Sequence, residues 1–199
     1  MSEAKTLLQM AGAPQQPAPL SESALVMIDC QCEYVTGALA LPGVEPALAG
    51  CAQVLARARA GGVPIVHVQH KGQAGGLFDP EDASFEIADP AAPEQDEARV
   101  TKSLPNAFAG TELTDILRGY GRKTVIFAGF MTHMCISSSV RAATDLGLGA
   151  TVVGNACTTR ELPDGTGGVV SADELHRATL AALADRFAIV IPDAAALTD

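Results

Sequence analysis

Three side chains of this 199-residue chain could together carry out nucleophilic chemistry: Asp29, Lys102 and Cys135. Asp29 directly follows the apolar run ALVMI. A carboxylate at the end of such a run is costly to bury unless a cation pairs with it or a reaction needs it. The competing reading is a residue that caps a turn or a helix start. Lys102 ends a short strand-like run and offers a cation where Asp29 offers an anion, although a lysine taken alone is usually a solvated charge. Cys135 lies in GFMTHMCISS, where an apolar run gives way to a helical pattern at Thr132–Cys135. N–H groups at a helix start are unpaired and carry the positive end of the macrodipole. A thiol there is expected to have a lowered pKa and a larger thiolate fraction. The same N–H groups could receive an oxyanion. Against this stands a buried cysteine acting as a small hydrophobe.

Other polar residues compete for a role. Cys30, Cys32, His67 and His70 have the composition of a zinc set, but Cys30 and Cys32 flank Gln31 in a tight turn and lack the spacing of a zinc knuckle. No metal is expected. Cys51 is expected within a helix and Cys157 in a loop, both structural. Tyr34 and Phe108 are expected as pocket walls, with Gln31, Thr132 and His133 beside them; a solvent-facing His133 is the alternative. His176, on an amphipathic helical pattern, reads as a packing or interface residue. No G-x-G-x-x-G or Walker pattern occurs, so no nucleotide cofactor is expected.

The elements that must position these residues alternate regularly. Strands are expected at Ala24–Ile28, Pro64–His70, Arg99–Lys102, Lys123–Gly129, Ala150–Val153 and Ala188–Ile191. Helices are expected at Glu45–Ala60, Thr111–Tyr120, Thr132–Leu146 and Ser171–Asp185, the last opened by a Ser171/Glu174 capping box. Strands separated by helices imply an open, mainly parallel α/β sheet of about six strands with helices on both faces. Such sheets bind ligands at the carboxyl ends of their strands, where Asp29, Lys102 and Cys135 fall. Residues 1–23 read as an arm, with a helical turn near Thr6–Met10 and the Pro-rich AGAPQQPAPL, and residues 24–199 as a single domain. The connections 71–98 and 155–168 are Gly-, Pro- and acid-rich and carry no readable specificity code.

Composition narrows the partners. Hydrophobic residues make up 48% and charged residues 18%, a globular balance, with no Trp. A net charge of −10 argues against nucleic acid and anionic membranes. No secretory signal and no apolar stretch of membrane-spanning length is read. Five cysteines without disulfide spacing point to a reducing cytoplasm.

The segments ALVMIDCQCEY, TKSLPNAFAGTEL and AGFMTHMCISSSVRAATDLG, within residues 24–192, resemble the isochorismatase-like cysteine hydrolases, which include nicotinamidases and N-carbamoylsarcosine amidases. The resemblance implies a three-layer Rossmann-like fold and an Asp29–Lys102–Cys135 triad. It also implies a cis peptide at Phe130–Met131 and an oxyanion hole from the amides of Met131 and Cys135. Lys102 would keep Asp29 ionised by lowering its pKa. The Asp-x-His metal pair of nicotinamidases is absent, which speaks against nicotinamide. Glu33 and Tyr34 stand where many relatives carry Asp and Phe. The expected reaction is hydrolysis of a small amide, ureide or carbamoyl compound. Two other readings compete: vinyl-ether hydrolysis with Asp29 as acid, and a non-catalytic binding oligomer. Relatives commonly self-associate, so a homo-oligomer, dimer or tetramer, acting on a small molecule is expected.

Overall fold

The computed structural model describes residues 4–199. Its strands are β1 (Ser23–Ile28), β2 (Ile65–His70), β3 (Ala98–Lys102), β4 (Thr124–Phe130), β5 (Gly149–Thr158) and β8 (Ile189–Ile191). They form one six-stranded sheet in the order β3-β2-β1-β4-β5-β8, every pairing parallel. The two central strands, β1 and β4, are apolar along almost their whole length because both faces are covered.

Successive side chains of a strand point to opposite faces, and the core divides accordingly. Leu25 and Met27 of β1 pack with Leu48, Cys51, Val54 and Leu55 of helix α2 (Val44–Ala60). Ala24, Val26 and Ile28 pack on the other face with Leu113 and Leu117 of α3 (Leu113–Gly119) and Val140 and Ala143 of α4 (Ser137–Asp145). Leu183 of α5 (Ala172–Arg186) completes that face. Each Val, Leu, Ile or Met side chain among these, fully removed from water, contributes on the order of 1.5–3 kcal/mol. The fold is thus an α/β sandwich of three layers.

Several boundaries differ from the sequence reading. β5 runs through Thr158 rather than ending at Val153, so Cys157 lies in a buried strand, not a loop. Gly154 and Asn155 have the composition of a turn, yet Val152, Val153, Ala156 and Cys157 around them are all buried. Gly50 allows the close approach of α2 to this strand, since a Cβ there would stand 2.6 Å from the Asn155 carbonyl oxygen. The expected helix Thr132–Leu146 is split into a π-helical turn, Thr132–Ile136, and α4. The irregular stretch after β5 holds a small antiparallel pair, β6 (Leu162–Pro163) and β7 (Val169–Val170). The Ser171/Glu174 capping box does open α5.

The described part of the arm lies on its own chain. It begins with α1 (Leu7–Met10), where the Leu7 N–H donates to Asp185 Oδ1 of α5 at 2.8 Å. Further on, the Leu20 N–H donates to the Thr198 carbonyl at 2.8 Å.

Candidate active site

Parallel pairing brings the carboxyl ends of β1, β2, β3 and β4 side by side, and the chain is shaped there for close approach. Asp29, one residue beyond β1, has φ +51, a left-handed conformation that a short polar side chain tolerates better than most. Its N–H donates to the Val68 carbonyl at 2.8 Å, which holds it against β2. Gly129 of β4 has φ +119, and a Cβ there would lie 1.9 Å from the Ile28 carbonyl oxygen. The absence of a side chain therefore lets the end of β4 lie directly against the end of β1. The next peptide, Phe130–Met131, is cis. Among the described residues no carbonyl accepts the Met131 N–H. The π-helical turn that follows presents Cys135.

The segment after β3 fixes that turn. Ser139 Oγ donates to the Cys135 carbonyl at 2.7 Å and accepts the Ala107 N–H at 2.9 Å. Asn106 Oδ1 accepts the Phe108 N–H, and Thr111 Oγ1 donates to the Ala107 carbonyl. The sequence Asn-Ala-Phe-Ala-Gly-Thr is thus a self-bonded loop clamped to the helix that carries Cys135.

Asp29, Lys102 and Cys135 meet at this edge. Lys102 Nζ lies 2.7 Å from Asp29 Oδ2, with both side chains fully buried. The same nitrogen donates to Cys135 Sγ at 3.3 Å. Asp29 and Cys135 therefore contact the same buried ammonium, which bridges a carboxyl group and a thiol.

Burial reverses two electrostatic expectations. The Cys135 thiol is pushed up to about 12, first by burial and then by the Asp29 charge; Lys102 only partly offsets this. A helix-start position does not lower it, because removing the thiolate from water outweighs the favourable dipole. Asp29 is likewise raised above the usual carboxylate range by burial, with Lys102 pulling in the opposite direction. Burial thus favours the neutral form of both Asp29 and Cys135, with Lys102 opposing it at each.

His70 is a fourth member that the residue types alone did not single out. Its Nδ1 lies 3.1 Å from Lys102 Nζ. Burial, followed by the Lys102 charge, lowers its pKa to about 4, so the imidazole is neutral near neutral pH and accepts a hydrogen bond from the ammonium. The readable signal was register: His70 and Lys102 are Cα partners at the ends of β2 and β3. His67 faces the other side of β2, with Nε2 2.7 Å from Glu97 Oε2, and Glu97 is paired in turn with Arg59. The two histidines therefore diverge. Among the described residues no three His, Cys, Asp or Glu side chains converge as a metal-binding group. Cys30 Sγ lies 3.8 Å from Cys51 Sγ rather than beside Cys32, and all five cysteines are free.

The expected pocket residues divide. Gln31 is wholly buried, and its amide is spent on the main chain: Nε2 donates to the carbonyls of His70 and Phe85, and Oε1 accepts the His70 N–H. It is a tie between loops rather than a wall facing substrate. Tyr34 stacks edge-on with Phe130 and Phe78, and Phe78 with His70, at ring separations of 5.9, 5.1 and 5.1 Å. This row of rings runs from the cis peptide to the Lys102 partner. Phe108 is partly buried and packs edge-on against Phe127. His133 bonds through Nδ1 to Thr159 Oγ1 and is half-buried. Thr132 Oγ1 donates to the Thr158 carbonyl at 3.1 Å and lies 2.9 Å from His176 Nδ1, which ties α5 to the turn before Cys135.

Comparison with known proteins shows the family. Residues 23–195 match the isochorismatase domain family. A secreted isochorismatase effector of Verticillium dahliae is 36% identical over 183 residues, 92% of this chain and 94% of that one. A streptothricin hydrolase of Streptomyces noursei is 32% identical over 187 residues, 93% of this chain and 74% of its own. The crystal structure of an isochorismatase from Pseudomonas putida KT2440 superposes with a TM-score of 0.93 at 38% identity, covering 98% of this chain and 100% of that one. The chain belongs to the isochorismatase family of hydrolases. Among the described residues no helix is long and apolar enough to cross a membrane.

Proposed function

We propose that this protein is a cysteine hydrolase that cleaves the C–N bond of a small amide, ureide or carbamoyl compound, with Cys135 as nucleophile. The observation that carries the reading is the buried contact set in which Lys102 Nζ reaches Asp29 Oδ2 at 2.7 Å and Cys135 Sγ at 3.3 Å.

Asp29 takes the thiol proton, and the sulfur attacks the carbonyl carbon to form an S–C bond. The amides of Met131 and Cys135 hold the oxyanion. Asp29 returns the proton to the leaving nitrogen as the C–N bond breaks. Water then gives a proton to Asp29 and attacks the thioester, releasing acid and thiol. Lys102 stabilises Asp29 as carboxylate and Cys135 as thiolate in alternate steps. Tyr34 and Phe108 supply apolar walls, with Thr132 and His133 flanking the nucleophile.

Isochorismatase chemistry on a vinyl ether needs an acid but no thiol, so it leaves the Lys102–Cys135 contact without a task. Cys135→Ala separates the two readings. Loss of hydrolysis across a panel of amides and ureides supports the thiolate route, and full retention sinks it. Five free cysteines support a reducing, cytoplasmic compartment, checked by fractionation of the native host. A homo-oligomeric state is proposed with it, checked by light scattering.

A further inference from the structure

A buried ammonium has three protons to place, and each one left without an acceptor carries a desolvation cost. Lys102 has three neighbours for them: Asp29 Oδ2 at 2.7 Å, His70 Nδ1 at 3.1 Å and Cys135 Sγ at 3.3 Å. Two of these belong to the proposed chemistry. The third does not, and it is unusually well held. The His70 backbone is clamped by Gln31, whose Oε1 accepts the His70 N–H at 2.8 Å while Nε2 donates to the His70 carbonyl at 3.0 Å. Its ring is fixed edge-on by Phe78, with 5.1 Å between ring centres.

We infer that His70 is a positioning residue: as a neutral Nδ1 acceptor it aims the Lys102 ammonium so that its remaining protons serve Asp29 and Cys135. His70 acts through Lys102 and need not touch substrate. The strand register makes this possible, because β2 and β3 end together with His70 opposite Lys102. Gln31, which does not open onto substrate, holds the histidine that holds the lysine.

The inference rests on Cys135 being the reactive thiol, so its test uses thiol chemistry rather than turnover. Iodoacetamide alkylates Cys135 when an S–C bond forms, iodide leaves and the thiol proton passes to Asp29. The rate, resolved by peptide mass spectrometry, reads how well Lys102 stabilises the thiolate. His70→Phe keeps a ring against Phe78 but removes the acceptor, whereas His70→Asn keeps an acceptor oxygen close to the Nδ1 position. His70→Phe should alkylate Cys135 about tenfold or more slowly at neutral pH, the loss expected for a hydrogen bond to a charged group. His70→Asn should stay close to wild type, and Cys32 should react alike in all three proteins. Wild-type alkylation in a folded His70→Phe, or equal slowing by Phe and Asn, overturns the inference. If His70→Phe does not fold, nitrogen NMR of the wild type decides. An unprotonated Nδ1 at neutral pH supports the acceptor role, and a proton on Nδ1 overturns it. Failure to hydrolyse any amide would count against the proposed reaction while leaving this result intact.

Discussion

Lys102 Nζ and Asp29 Oδ2 lie 2.7 Å apart in full burial, at the carboxyl ends of β3 and β1. Two charges brought this far from water stabilise each other but also cost several kcal/mol each in lost hydration. On the proposed mechanism the pair serves the proton it manages for Cys135 rather than fold stability.

That view separates stability from function. Asp29→Asn should destabilise the protein by about 3–5 kcal/mol in urea unfolding, because it leaves the Lys102 ammonium buried without its anion. Asp29→Asn combined with Lys102→Met removes both charges and should recover most of that loss. Neither variant should turn over substrate. A double variant as unstable as the single would show that the pair itself holds the fold.

The junction of β1 and β4 gives a backbone prediction. Gly129→Ala places a methyl 1.9 Å from the Ile28 carbonyl oxygen at a φ of +119, and the neighbouring atoms are main chain that cannot swing away. We expect a loss of more than about 4 kcal/mol, in the range reserved for named steric failures. Near wild-type melting in calorimetry would mean that β4 ends elsewhere. Gly165→Ala, at a positive φ but with open space around it, should cost only about 1–2 kcal/mol.

Acid sensitivity follows from the histidine. The folded His70 has a pKa near 4 against an ordinary value of 6.5, so in the interval between them the unfolded chain binds the extra proton. Stability should fall as pH drops from about 6.5 to about 4, and this contribution should be constant below that. His67 is also lowered, chiefly by burial, and adds to the same trend. Asp29 opposes it, since its raised pKa makes the fold bind a proton sooner than the unfolded chain. The His70 share is the difference between wild type and His70→Asn in urea titrations at stepped pH. The Asn variant should show the shallower decline, and equal slopes would contradict a depressed His70.

The Thr132 hydroxyl joins β5 and α5 three residues before Cys135. Thr132→Val keeps the shape but leaves the Thr158 carbonyl and His176 Nδ1 without their partner. The expected cost is about 1–3 kcal/mol in thermal or urea unfolding. Turnover should fall as well, since the Cys135 turn is no longer tied to α5. Unchanged stability would mean that water replaces the hydroxyl.

Much of this was legible in the residues themselves. An apolar run ending in Asp29, a short strand-like run ending in Lys102 and an apolar run giving way to the Cys135 turn mark strand ends, and parallel pairing places such ends on one edge. Contacts set by tertiary packing were not legible. The thiol of Cys135 moves upward because burial outweighs the helix start, and burial is not visible in GFMTHMCISS. Gln31 sits beside Asp29 in sequence but turns its amide to the main chain. His67 and His70 carry no metal expectation, and only strand register sets His70 against Lys102 and His67 on the opposite face. Gly154 and Asn155 have turn composition, which hides the continuation of β5 to Thr158, although packing against α2 keeps them in the strand.

The central claim is that Cys135 becomes covalently acylated. Acid-quenched mass spectrometry of the protein during turnover of amides, ureides and carbamoyl compounds tests it most directly. The account predicts an acyl or carbamoyl adduct confined to the peptide that bears Cys135 and absent from Cys135→Ala. Turnover that proceeds with Cys135 unmodified, and persists in Cys135→Ala, would contradict it.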